Sequence, residues 1–133
     1  MNNKLKALAI VMLVTSLVVL AGCRTSAVYN VNDAPVNMTK TNYKASDVRQ
    51  AIINAGARLG WQMKETQPGM ILGTLFIRDH MAQVEIPYDT NSYSIRYKDS
   101  SNLNYDGENI HSNYNGWIQN LDNAIRSNLI NQS

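Results

Sequence analysis

Side chains able to do chemistry are few in this chain: one cysteine, two histidines and ten carboxylates among 133 residues. A thiol can act as nucleophile or metal ligand and an imidazole as general base or ligand, but each task needs companions at set spacings. His80 stands beside Asp79 between two apolar stretches, where turn chemistry accounts for both residues. His111 lies near Asp106 and Glu108. A metal site takes three or four ligands, and no second histidine or cysteine is spaced to complete this one. No serine occupies a Gly-x-Ser-x-Gly turn, and no glycine-rich phosphate loop is present. Glu85 falls on the polar side of an alternating stretch and reads as a solvated residue. The pattern argues against an enzyme, and it implies no catalytic residue, no metal and no other cofactor.

Cys23 has a different setting. Lys4 and Lys6 precede an apolar run from Ala7 to Leu20, broken only by Thr15 and Ser16, which is the layout of a secretory signal. The run is shorter than the roughly 20 residues that a bilayer-spanning helix needs. Directly after it, Leu20-Ala21-Gly22-Cys23 resembles the bacterial lipobox. That resemblance implies removal of residues 1–22, a lipid on the Cys23 sulfur and often an acyl group on the new amino terminus. Membrane is then a partner through Cys23, since one acyl chain holds a protein marginally and two or more hold it stably. No thiol remains for a disulfide. In lipoproteins of the enteric type an aspartate after the cysteine marks inner-membrane retention. Arg24 occupies that place here, so the resemblance favours the outer membrane, facing the periplasm, over the inner membrane.

Charge follows from the same cut. Of twelve basic side chains, Lys4 and Lys6 leave with the signal, so ten face ten acidic ones and the mature chain is formally neutral. It carries no electrostatic footprint for nucleic acid and no polybasic membrane patch.

The elements that must position the remaining side chains can be read from periodicity. Residues 23–44 are small and polar, rich in Asn and Thr, and predict a lipidated N-terminus and flexible tether. Val28-Tyr29-Asn30-Val31 offers an optional edge strand. A single domain is expected over 45–133. Ser46 is a natural N-cap for a helix from about Asp47 to Leu59, with Val48, Ala51, Ile52, Ala55 and Leu59 on one face and Gly60 as its stop. Four strands follow: Trp61 to Thr66, Met70 to Arg78, Met81 to Tyr88 and Ser92 to Lys98. Asp79-His80 makes one of the tight connections, and Gly73 marks a bulge or a close backbone approach. A second helix from Ser112 carries Tyr114, Trp117, Ile118, Leu121, Ile125 and Leu129 at helical spacing. The joint solution is an α+β two-layer sandwich, a four-stranded antiparallel meander with two helices on one face in the order α-β-β-β-β-α.

The candidate binding residues cluster late in the chain. Arg96, Tyr97 and Lys98 end a strand, Tyr105 sits in the loop after it, and His111, Tyr114 and Trp117 open the second helix. This last third resembles small bacterial lipoproteins, a resemblance that brings no known activity. Aromatic rings with polar tips beside cations suit contact with a glycan, a peptide or a protein. Tyr114 and Trp117 also lie on the helical stripe, where core packing is the ordinary explanation. The expected function is a lipid-anchored binding or structural module of the envelope that contacts an envelope protein or assembly. The alternative is a receptor for a small lipid or cell-wall fragment. A cell-wall hydrolase would need a site built around His111.

Overall fold

The computed structural model describes residues 24–132; the signal-like segment and Cys23 lie outside the described residues. In chain order the elements are β1 (Thr25–Ala27), β2 (Val31–Pro35), α1 (Ala45–Arg58), β3 (Gln62–Gln67), β4 (Met70–Ile77), β5 (His80–Pro87), β6 (Ser92–Ser101), β7 (Asn109–His111) and α2 (Ser112–Asn131). No helix among them is long and apolar enough to cross a membrane.

Helix α1 starts two residues before the expected Asp47, because Lys44 and not Ser46 is the N-cap. The Asp47 carboxylate reaches back to accept the Lys44 amide at 2.8 Å and the Lys40 ammonium at 3.0 Å. An acid at the third helical position thereby satisfies a donor the helix cannot. At the other end Gly60 takes φ +86°, so the Gly60 and Trp61 amides turn back to Ala57 and Gly56 carbonyls at 3.1 and 2.9 Å. Val48, Ala51, Ile52 and Ala55 are buried as the stripe predicts, and Leu59 is left exposed. Along α2, Tyr114, Ile118, Leu121, Ile125 and Leu129 are buried.

The described residues are α+β, with two helices, a five-stranded antiparallel sheet in the order β2-β6-β5-β4-β3 and a two-stranded ribbon of β1 with β7. Strands β3 to β6 form the expected meander, but the sheet has five strands, not four. The fifth comes from residues whose composition predicts a tether. From Thr25 to Val36 the chain is instead built into the domain: Thr25 pairs with His111, Val31 with Ile95, and Val31, Ala34 and Val36 are buried. The optional strand at Val28 to Val31 lies too early, since β2 begins only at Val31. Asp33 hides β2 from a period-two reading. Its φ of 50° makes a bulge, so the inward residues Val31 and Ala34 are three apart, and its amide bonds Ser94 Oγ at 3.0 Å.

Inward side chains of the sheet, among them Ile71, Leu75, Val84, Ile86, Tyr93 and Ile95, meet the helices in the core. Gly56 of α1 lies on Met63 of β3, the Tyr93 hydroxyl of β6 bonds Asp122 of α2, and Asn128 of α2 donates to the Ala51 carbonyl of α1 at 3.1 Å. The two helices run antiparallel, with Leu59 beside Trp117 at one end and Thr39 bonded to Ile130 at the other.

Candidate functional site: an aromatic cleft at the end of β6

Strand β6 continues to Ser101, beyond the expected end at Lys98. A bulge against Gln83 and Val84 lets it bend there. The loop that follows is organised around one buried side chain, Leu103, flanked by Asn102 (φ 60°) and Asn104 (φ 54°). Asparagine tolerates this left-handed region better than most residues. Further along, the Asp106 carboxylate accepts the Glu108 and Asn109 amides at 2.9 and 2.7 Å, which holds its pKa below the usual carboxylate range. The Leu103 carbonyl accepts the His111 amide at 2.8 Å, closing the loop onto β7.

Between this loop and the strand end lies an open cleft of about 650 Å³, bordered by Tyr97, Lys98, Asp99, Asn102, Asn104 and Tyr105. Tyr97 and Tyr105 stack with ring centroids 4.1 Å apart and planes tilted by 32°. The Tyr97 hydroxyl is 2.7 Å from Ser100 Oγ, and the Lys98 ammonium rests 2.6 Å from Glu85 Oε1 on the sheet face away from the helices. Burial raises the Tyr97 phenol above its ordinary pKa. Underneath, Tyr114 meets the Tyr97 ring edge-on at 5.7 Å. Its side chain is fully buried, and its hydroxyl is the one buried side-chain polar atom among the described residues without a hydrogen-bond partner. Burial pushes that phenol up strongly, with the Tyr97 and Tyr105 hydroxyls adding to the effect.

The two histidines have structural settings. His80 opens β5, one residue after the turn at Arg78-Asp79 instead of within it. Its Nδ1 contacts the Asn102 carbonyl at 2.8 Å, while Asn102 Nδ2 donates to Asp79 at 2.6 Å. These contacts fasten the cleft loop to the β4–β5 hairpin. His111 is the N-cap of α2, where its Nδ1 accepts the Asn113 amide at 3.2 Å.

Of the seven candidate residues, Tyr97, Lys98 and Tyr105 border the cleft and Tyr114 lies beneath it. The other three are elsewhere. Arg96 lines a separate depression of about 200 Å³ with Asp33, Asp89 and Ser94, His111 caps α2, and half-buried Trp117 stands against the His80 ring with centroids 6.4 Å apart. Asp99, Asn102 and Asn104 complete the cleft without standing out in the sequence; the one signal is the pair of asparagines about a lone leucine. Chemically the cleft offers ring faces, hydroxyls, amides and one charge of each sign. Ser100 has the Tyr97 hydroxyl as its neighbour, and among the described residues no three His, Cys, Asp or Glu side chains converge on a metal position.

Comparison with protein-family models, curated proteins and solved structures found no match to this chain. The functional reading therefore stands on the residues and their geometry.

Proposed function

We propose that the protein is a lipid-anchored binding module of the bacterial envelope, held by acyl chains on Cys23 in the outer membrane and facing the periplasm. It contacts an envelope protein or assembly through the cleft and carries out no turnover. The observation that carries this reading is the stacked Tyr97–Tyr105 pair beside Lys98. Rigid aromatic side chains with polar tips give contact area at small entropic cost, which is why they anchor interfaces. The His80, Asp79 and Asn102 contacts hold the loop in place before any partner arrives, and such preorganisation favours binding.

The test is crosslinking in cells from a photoreactive residue at position 98, with the attached protein identified by mass spectrometry. One dominant crosslinked protein is expected. It should disappear when the crosslinker stands instead at exposed Gln119 of α2. In the Tyr105→Ala, Lys98→Ala double variant, pull-down of that partner should be lost while stability stays within about 1 kcal/mol, as for surface substitutions. No crosslinked protein from position 98, or unfolding of the double variant, would remove the support.

A second reading, a receptor for a cell-wall fragment, is favoured by the cleft's volume, which lies within the roughly 300–1,000 Å³ of small-ligand sites. Its borders are mostly exposed and polar, which suits a glycan or peptide fragment better than an acyl chain. A co-purified small molecule seen by native mass spectrometry would support it.

A further inference from the structure

The chain enters the domain without slack. The Arg24 carbonyl accepts the Ser112 amide at 2.9 Å, and the next residue, Thr25, already pairs with His111. Cys23 is the residue before Arg24, and one peptide step spans 3.8 Å. A lipid on Cys23 would therefore be joined by one peptide bond to a residue that is itself bonded to the first turn of α2.

The same end of the domain gathers several other elements. Ile77 pairs with His80 and Met81 with Ser101, so the β4–β5 turn and the end of β6 lie side by side. Trp117 contacts His80, and it shares an apolar groove of about 210 Å³ with Leu59 at the end of α1. Five large apolar side chains are exposed among the described residues, and three of them sit at this end: Leu59 at 42 % beside Trp117, Tyr105 at 42 % at the cleft, and Phe76 at 61 % on the sheet face away from the helices. Arg24, Arg58 and Arg78 are exposed at this end as well. Two acids lie near them: Asp79, 72 % exposed, accepts from Asn102 and lies 3.4 Å from His80, and Asp99 is exposed at the cleft, so three arginines face two carboxylates. Aromatic and aliphatic side chains edged by arginines are what the headgroup layer of a bilayer accommodates.

We propose that this end is a membrane-docking surface, seated on the phospholipid headgroups under the lipid of Cys23, with Trp117 and Leu59 at the interface. The proposal rests on the lipid anchor of the preceding section. Tethering through one residue makes docking intramolecular, so side chains too few to hold a free domain on a membrane are sufficient. The cleft then opens beside the bilayer, and its partner must be reachable at that depth.

The full chain, expressed with its signal, is purified from membranes in detergent and reconstituted into phosphatidylethanolamine and phosphatidylglycerol vesicles, with or without brominated acyl chains. Bromine quenches tryptophan emission at short range, and the chain holds two tryptophans, Trp61 in the core and Trp117 at the proposed interface. Brominated lipid should cut wild-type emission to roughly half, because of two indoles only Trp117 lies at the interface, where tryptophan is favoured, while Trp61 is buried in the core, and should leave Trp117→Phe nearly unquenched. A Gly/Ser insert of about twenty residues between Cys23 and Arg24, a coil reaching about 25 Å, should restore the emission without altering the domain. Intact mass of the same sample reads the lipid separately. Lipid present with equal emission in both vesicles overturns the docking surface alone; lipid absent overturns the anchor on which it stands.

Discussion

Tyr93 and Tyr114 are both buried tyrosines, and their hydroxyls are served oppositely. The Tyr93 hydroxyl donates to Asp122 Oδ1 at 2.5 Å, and Asp122 Oδ2 accepts from Arg126 Nε at 3.0 Å. The Tyr114 hydroxyl has no partner. A buried hydrogen bond contributes about 1 kcal/mol net, while an unsatisfied buried polar group costs about 1–3 kcal/mol. The same atom deletion should therefore have opposite signs: Tyr114→Phe is expected to raise unfolding free energy by about 1 kcal/mol and Tyr93→Phe to lower it by about as much. Asp122→Ala should cost about 1–3 kcal/mol by leaving the buried Tyr93 hydroxyl without a partner, while the exposed Arg126 turns to water. Urea unfolding of the three variants checks the order, and a loss on Tyr114→Phe would show that its hydroxyl has a role beneath the cleft.

At the scale of elements, α1 and the sheet meet at glycines. A Cβ on Gly56 would lie 2.6 Å from Met63 Sδ, and one on Gly73 would lie 3.1 Å from the same sulfur and 3.2 Å from Val84 Cγ2. Met63 thus fills the space between a helix and a strand that both lack side chains there. Gly56→Val should overpack this seam and cost about 1–3 kcal/mol, and Met63→Ala in the same chain should recover part of it; chemical denaturation reads both. Gly73 also illustrates what a sequence tells and withholds. Its presence in an apolar strand signals either a bulge or a close approach, and the unbroken register of Met63, Gly73 and Val84 shows the second. The helices and strands β3 to β6 were legible because their apolar periods are local. Strands β1 and β2 were not, since Val31 and Ala34 owe their burial to partners more than fifty residues away and a bulge breaks their spacing. The cleft was legible in Tyr97, Lys98 and Tyr105, whose side-chain types mark them. Asn102 and Asn104 contribute through backbone conformation, and Arg96, mid-strand and next to Tyr97 in sequence, lines a different depression with Asp33 and Ser94, a distinction that composition does not carry.

Across the whole molecule, three aspartates, Asp89 and Asp106 exposed and Asp47 half-buried, brace backbone turns and a helix start. Backbone amides of Lys44, of Ser92 and Asn91, and of Asn109 and Glu108 lower the pKa values of Asp47, Asp89 and Asp106 respectively. A carboxylate whose folded pKa lies below its unfolded value near 4 stabilises fully above that value, and the contribution is lost as pH falls through the folded one. The melting temperature should therefore hold from neutral pH to about 5 and fall below about 4, as thermal unfolding by circular dichroism would show; a melting temperature that rises below pH 4 would contradict these amide contacts. The topology has one more implication. Strand β1 closes on β7, and β2 on β6, so the first strands of the domain must wait for nearly its last residues to arrive. Closing such long loops is slow. If the chain is exported as proposed, it would stay open while it threads the secretion pore, and its first and last strands would pair only on the far side, beside the proposed point of lipid attachment.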